Sequence, residues 1–306
     1  MLHRMVEDSG TNDGHTVSYL RQCLEYLQEN GHSFVSIEDI IKYLRGGKSL
    51  PPKPVAFTMD DGFADQTDLA APVFIEFNCP VTIFVITGML DNILWPWFCQ
   101  VEYLIKNSKA ETIELDLPTG KKLYDLGTLN INSRPVNTIL EAIKDVSWET
   151  VPGILEKLSH STQVDIPATP PGDYEPISWD KARDLENQGI SFGPHTISHP
   201  ILSRVSGGES EREITGSWQR LKDELSSPSR VFCYPNGRLT DFGAREVGIV
   251  QKNGLLGALS TVPSHATSAS RANDSLYALP RFEVPDTIQD FIRYCTWIEY
   301  AKQKFL

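Results

Sequence analysis

The stretch Val55-Ala56-Phe57-Thr58-Met59-Asp60-Asp61-Gly62-Phe63-Ala64-Asp65 decides how the rest of the chain is read. Its apolar half predicts a short buried strand. Two adjacent carboxylates and a glycine follow. Ionised neighbours of this kind repel, so a strand end that keeps them serves something that needs negative charge, such as a metal ion, or is a plain solvated turn.

Working outward, the strand is one of several that alternate with helices. Val17, Leu20, Leu24 and Leu27 recur at helical spacing and stop at Gly31. Ser36, with Asp39 three residues on, predicts a capped helix that ends at Gly46-Gly47. Downstream, Asp68–Asn78 reads as a helix and Val81–Ile86 as a strand. The rhythm returns after residue 172: helix Ser178–Gly189, strand Ile190–Gly193, helix Glu209–Leu225, strand Arg230–Tyr234, helix Asp241–Asn253, strand Gly257–Thr261, strand Tyr277–Val284 and helix Asp286–Tyr300. This alternation predicts an α/β fold with a mostly parallel sheet, open or closed into a barrel. Chemistry in such folds sits at the C-terminal ends of strands, where Asp60, Asp61, His195 and Tyr234 fall.

Residues 91 to about 172 break the rhythm. Thr112–Leu126 alternates like a hairpin around Pro118-Thr119-Gly120, two helical stretches follow (134–146 and 148–160), and a proline-rich linker, 166–176, leads back. The expectation is a single domain over 1–306 with an insertion at about 91–172.

The totals exclude several classes. A net charge of −12 with no Lys/Arg-rich run argues against nucleic acid as a partner. No apolar run is long enough to span a membrane. Five cysteines, none spaced as CxxC, give neither a metal knuckle nor a disulfide framework. The N-terminal Met1–Gly10 lacks an apolar signal core, which sets the expectation of a cytoplasmic protein, or of an extracytoplasmic one whose leader has been removed.

The second informative stretch is Ser191-Phe192-Gly193-Pro194-His195-Thr196-Ile197-Ser198-His199-Pro200. Histidines four apart share a face on a helical turn or a strand. Two imidazoles and one carboxylate form a ligand set for catalytic zinc or a similar divalent ion. H-x3-H alone is weak, as is a lone acidic pair; both here follow short apolar strands and end in chain-turning residues. In the third stretch, Arg230–Arg238, Tyr234-Pro235-Asn236-Gly237 is a turn by composition. It reads either as that turn, with Tyr234 packing, or as a pocket wall that offers a backbone N–H to a developing oxyanion.

Together the three stretches resemble the NodB-type polysaccharide deacetylases, carbohydrate esterase family four. The family carries Thr-Phe-Asp-Asp-Gly, His-Ser/Thr-x-x-His-Pro and, in one large branch, Phe-x-Tyr-Pro-x-Gly. Here stand Thr58–Gly62 with Met59 in place of Phe, His195–Pro200, and Phe232–Gly237. The resemblance covers most of the chain outside the insertion. It implies a distorted (β/α)7-type barrel and metal-dependent hydrolysis of N-acetyl groups from an N-acetylhexosamine-containing poly- or oligosaccharide. It implies Asp60 as general base, Asp61, His195 and His199 as ligands of a divalent ion (zinc first, cobalt or nickel as alternatives), and Tyr234 and Pro235 as substrate-binding residues. The alternatives are a deacylase of another amide or of a lipid-linked sugar, or a non-catalytic sugar-binding protein on the same fold.

One expected part is missing. Many members carry Leu-x-His near the last strands, whose His protonates the leaving amine; here Leu259 is followed by Ser260 and Thr261, and His265 is only a loose candidate. Arg281, in Leu279-Pro280-Arg281-Phe282, fits the branch and reads as a partner for Asp60 or as a structural residue. Trp95 and Trp97 fall near the rim where the motifs converge, as sugar-stacking residues or as core of the insertion.

Overall fold

The computed structural model describes residues 1–9, 13–47, 49–117, 120–126, 134–267 and 273–296. Short parallel pairs open the chain: Met5–Val6 (β1) with His15–Thr16 (β2), and Ser33–Phe34 (β3) with Pro54–Val55 (β4). Between them lie helix Val17–Glu29, which buries Leu20, Cys23, Leu24 and Leu27, and helix Ile37–Leu44, closed by the Ser36–Asp39 capping box. The centre is a three-stranded parallel sheet of Phe57–Asp61 (β5), Val81–Val85 (β6) and Ser191–Pro194 (β9). The antiparallel hairpin Thr112–Leu117 (β7) and Gly120–Asp125 (β8) stands apart from it. Val231–Cys233 (β10) pairs parallel with Gly257–Leu259 (β11).

Hydrogen bonds carry this order round a ring. The Ser229 N–H donates to the Phe192 carbonyl at 2.7 Å, joining β9 to the start of β10. Leu259 of β11 bridges Leu279 in parallel, the Val284 N–H donates to the Met1 carbonyl at 2.9 Å, and Leu2 bridges Met59 of β5 in parallel. The α/β expectation holds, and the ring closes through single bridges rather than full ladders, which is the distortion expected of the barrel. The strand expected at Tyr277–Val284 shrinks to that one bridge at Leu279, because Pro280 has no N–H for a ladder. The last helix runs Ile288–Tyr294; its expected extension to Tyr300 lies outside the described residues, as do Pro118 and Thr119 of the hairpin turn.

The inserted stretch has an apolar cluster of its own, running from Trp97 to Leu158. It is built from helix Trp97–Lys106, the hairpin, and helices Arg134–Lys144 and Val151–Thr162. Strict alternation in β7 buries Ile113, Leu115 and Leu117 and leaves Thr112, Glu114 and Asp116 exposed. Each such burial contributes about 1.5–3 kcal/mol. Phe98, Trp148 and Ile166 pack against this cluster and the main core alike.

Candidate active site

The site assembles at the C-terminal ends of β5 and β9. In a regular strand, neighbours point to opposite faces. Asp61 has φ 85°, which ends that alternation and leaves both carboxylates buried at one end of the ring. Gly62 follows with φ 90°, and a Cβ there would lie 3.0 Å from Val85 Cγ1, so the glycine after the acidic pair is required by conformation and by space.

The two acids keep different company. Arg281 grips Asp60 with two parallel hydrogen bonds, Nη1 to Oδ1 and Nη2 to Oδ2, both 2.8 Å. The same guanidinium donates to Thr58 Oγ1 at 2.9 Å and to the Ser260 carbonyl at 3.1 Å. Burial would raise the Asp60 carboxyl, but the charge and hydrogen bonds of Arg281 outweigh it and hold the group well below the usual carboxylate range. Arg281 is thus the partner of Asp60.

Asp61 faces the histidines. Its Oδ1 lies 3.5 Å from His195 Nε2 and 3.6 Å from His199 Nε2. A tetrahedral ion with bonds of about 2.1 Å holds its ligand atoms about 3.4 Å apart, so the spacing fits a small divalent cation. The donor set fits as well. His195 Nδ1 lies 2.8 Å from the Cys233 carbonyl, which can only accept; Nδ1 therefore carries the hydrogen, and Nε2 turns its lone pair to the point shared with Asp61. Burial, then the neighbouring His195, pushes the His199 imidazole down to about 3, the neutral form a metal requires. Burial would lower His195 too, but a proton on Nε2 would be favoured by Cys233 and by the hydrogen bond it would make to Asp61, which holds the group above its ordinary value when no cation takes that position. A second convergence, Asp60 with His195 and Cys233, is filled by Arg281, whose Nη2 lies 3.1 Å from Cys233 Sγ, and a cation there would meet the guanidinium.

The loop between the histidines is a strained turn. Thr196 and His199 have φ 68° and 59°, costing of the order of 1–3 kcal/mol each for non-glycine residues. Outside contacts hold it: the Thr87 and Gly88 N–H groups donate to the Thr196 and Ile197 carbonyls at 3.1 and 2.9 Å. The Trp97 indole N–H donates to the His199 carbonyl at 3.1 Å, and the Phe98 ring lies edge-on to the His199 ring at 4.9 Å. Trp95 and Trp97 are each only 5% exposed, and Trp95 packs on Tyr103 and Tyr174. Trp95 belongs to the main core rather than to that of the insertion; Trp97 belongs to the insertion's cluster, reaches the cleft wall and braces a ligand loop, and at this burial neither ring offers a face for a sugar to stack on.

The site opens into a cleft of about 560 Å³ lined by His3, Asp60, Asp61, His195, His199, Phe98, Lys144, Asn236, Arg238 and Glu283, among others. A neighbouring cleft of about 430 Å³ meets it at Leu140 and holds no histidine. Sequence reasoning missed His3. The parallel bridge Leu2–Met59 brings it beside β5, and Gln66 Nε2 donates to both the His3 and the Asp60 carbonyls. Its Nε2 lies 3.9 Å from Asp60 Oδ2 and its Nδ1 3.8 Å from Glu283 Oε1, with the side chain 36% exposed. His265 does not line this cleft; it packs on Phe282, with Nε2 3.1 Å from the Tyr294 carbonyl. Tyr234 and Pro235 are buried and absent from the lining. The Tyr234 ring stacks on Phe242, and its backbone N–H donates to the Leu259 carbonyl at 3.3 Å. The pocket-wall role given to these two residues is corrected: pairing of β10 with β11 takes up the N–H that was to meet an oxyanion.

Comparison with known proteins agrees with the motifs. The family model described as Polysaccharide deacetylase matches residues 124–252, a span that takes in His195, His199 and the Tyr234–Gly237 turn. A poly-beta-1,6-N-acetyl-D-glucosamine N-deacetylase of Escherichia coli K12 is 41% identical over 75 residues; the match spans 24% of this chain and 11% of that protein. Among solved structures, a Streptococcus pyogenes deacetylase, PplD, in complex with acetate superposes with a TM-score of 0.62 at 16% identity, covering 96% of this chain and 95% of that one. IcaB from Ammonifex degensii superposes at 0.58 with 18% identity, covering 97% and 94%. At these identities the likeness shows the fold. The resemblance to the NodB-type deacetylases holds.

Proposed function

We propose that this chain is a metal-dependent amidohydrolase that removes N-acetyl groups from N-acetylhexosamine units of a poly- or oligosaccharide. The observation that carries the reading is the convergence of Asp61, His195 and His199 on one point, beside a carboxylate held ionised by arginine, in one open cleft. The relative named for poly-beta-1,6-N-acetyl-D-glucosamine supports N-acetylglucosamine as the sugar.

Asp61, His195 and His199 would hold the ion. We assign zinc from two imidazoles and one carboxylate at near-tetrahedral spacing, with cobalt and nickel as alternatives. When bound, the ion supplies Lewis acidity toward the acetamide carbonyl and toward water. Asp60, kept charged by Arg281, takes the proton from the attacking water. His3, beside Asp60 on the cleft wall, would protonate the departing amine nitrogen as the C–N bond breaks. One water is consumed, and acetate and a free amino sugar leave.

The test is acetate release from N-acetylglucosamine oligomers after reconstitution with zinc, with and without chelator. Release that chelator abolishes supports the reading. Oligomer binding without acetate, indifferent to chelator, replaces it with a sugar-binding protein.

A further inference from the structure

We propose that Glu213 is a positioning residue for the metal site: it fixes the backbone between the two histidine ligands and so sets how tightly a cation is held. The inference rests on the metal-site reading above and adds to it a residue from outside the three motifs.

Glu213 lies on helix Gly207–Glu224 and is fully buried. Its Oε2 accepts the Ile197 N–H at 2.8 Å and the Ser198 N–H at 2.9 Å, and its Oε1 accepts the Ser198 hydroxyl at 2.7 Å. Charge-assisted bonds of this kind are roughly twice as strong as neutral ones. The rest of the loop is satisfied differently. Its carbonyls at Thr196, Ile197 and His199 take N–H groups from Thr87, Gly88 and Trp97, and the His199 N–H goes to Thr196 Oγ1 at 3.0 Å. The two central N–H groups go to Glu213.

Those two amides sit between residues in left-handed backbone. Without an acceptor on that side, the turn loses what offsets its strain, and it relaxes toward extended backbone. Because the side chain four residues from His195 must return to the same point, a change of turn separates the two Nε2 atoms. A glutamine at 213 keeps size and shape but removes the charge: its single oxygen can still take the Ile197 and Ser198 N–H groups, its NH2 meets the Ser198 hydroxyl, and the two amide bonds lose their charge assistance while the 3.3 Å contact from Arg212 Nη2 becomes donor–donor. Alanine at 198 removes only the hydroxyl bond.

The experiment measures zinc affinity by chelator competition for wild type, Glu213→Gln and Ser198→Ala, with circular dichroism of each apo protein as the fold check. Glu213→Gln is expected to hold zinc about 10–100-fold more weakly, the usual effect of losing an outer-shell partner, while its apo form keeps the wild-type spectrum. Ser198→Ala is expected to show a smaller loss in the same direction. Wild-type affinity in a folded Glu213→Gln overturns the proposal. Should that variant not fold, Ser198→Ala decides, and wild-type affinity there overturns it. A wild-type protein that takes up no zinc, cobalt or nickel overturns the metal-site reading and this proposal with it, whereas equal affinity in wild type and variant overturns the proposal alone.

Discussion

Asp60 and Asp61 are identical side chains one peptide bond apart, and what surrounds them divides the work. The Asp60 carboxylate is matched by the Arg281 guanidinium, atom for atom, whereas the Asp61 carboxylate is turned to the imidazoles of His195 and His199. Asp61→Asn should therefore lose bound metal and turnover together. Asp60→Asn should keep metal near the wild-type level and lose about a hundredfold to ten-thousandfold in rate; metal analysis beside turnover checks both, and the reverse pattern would exchange the roles. The same company fixes the pH behaviour. A carboxyl whose folded pKa is depressed contributes stability above its unfolded value, about 3.9, and loses it only as pH falls through the folded pKa, which here lies below the usual range. Asp60 thus stays charged throughout the range in which histidines titrate. A proton at His195, held above its ordinary value, competes with the cation for the same lone pair. Turnover should fall on the acid side together with bound metal, and the fall should move to lower pH as total metal is raised. An acid limb that ignores metal concentration would assign it to another group.

At the scale of elements, what the sequence displayed was local. The strand before Asp60, the turn at Gly62 and the spacing of His195 from His199 are short-range patterns, and each falls where its chemistry needs it. What it hid was pairing. No spacing ties His3 to Asp60; a single parallel bridge at Leu2 and the buried Gln66 amide do. The N–H of Tyr234 looks free in sequence and is taken by β11. The tryptophans around Pro96 look like rim residues, yet the helix that starts at Trp97 turns its indole onto the His199 carbonyl. The same pairing yields a prediction for the N-terminal segment. His3→Gln keeps a polar side chain in place but has no ring nitrogen to deliver a proton, so it should lower turnover about a hundredfold or more and leave metal content unchanged. If the variant lost metal in step with activity, His3 would be bracing the site rather than donating to the amine.

Across the whole molecule, the ring is closed by single bridges, and a cation at its end would tie β5 to the loop after β9, two parts joined within the sheet only through β6. The insertion adds exposed ion pairs to the same rim, Glu141 with Arg238 at 2.8 Å and Asp145 with Arg204 at 3.1 Å. Pairs so exposed are worth about 0–1 kcal/mol. Metal is the larger effect. A ligand that binds only the folded state stabilises it by about 4 kcal/mol at a thousand times its dissociation constant, and each kcal/mol moves the unfolding midpoint by about 2–4 °C in chains of 150–250 residues. Removing metal by chelation should therefore lower the unfolding temperature of the wild-type protein by on the order of ten degrees, and readdition of zinc should restore it. Asp60→Asn, which retains the ligands, should show the same drop. Asp61→Asn should unfold near the chelated wild-type temperature whether or not chelator is present, because it has no cation to lose. Calorimetry of the three proteins with and without chelator makes the comparison, with metal analysis to confirm removal; a wild-type midpoint that stays put after its metal has gone would show that the ion serves chemistry without bracing the ring.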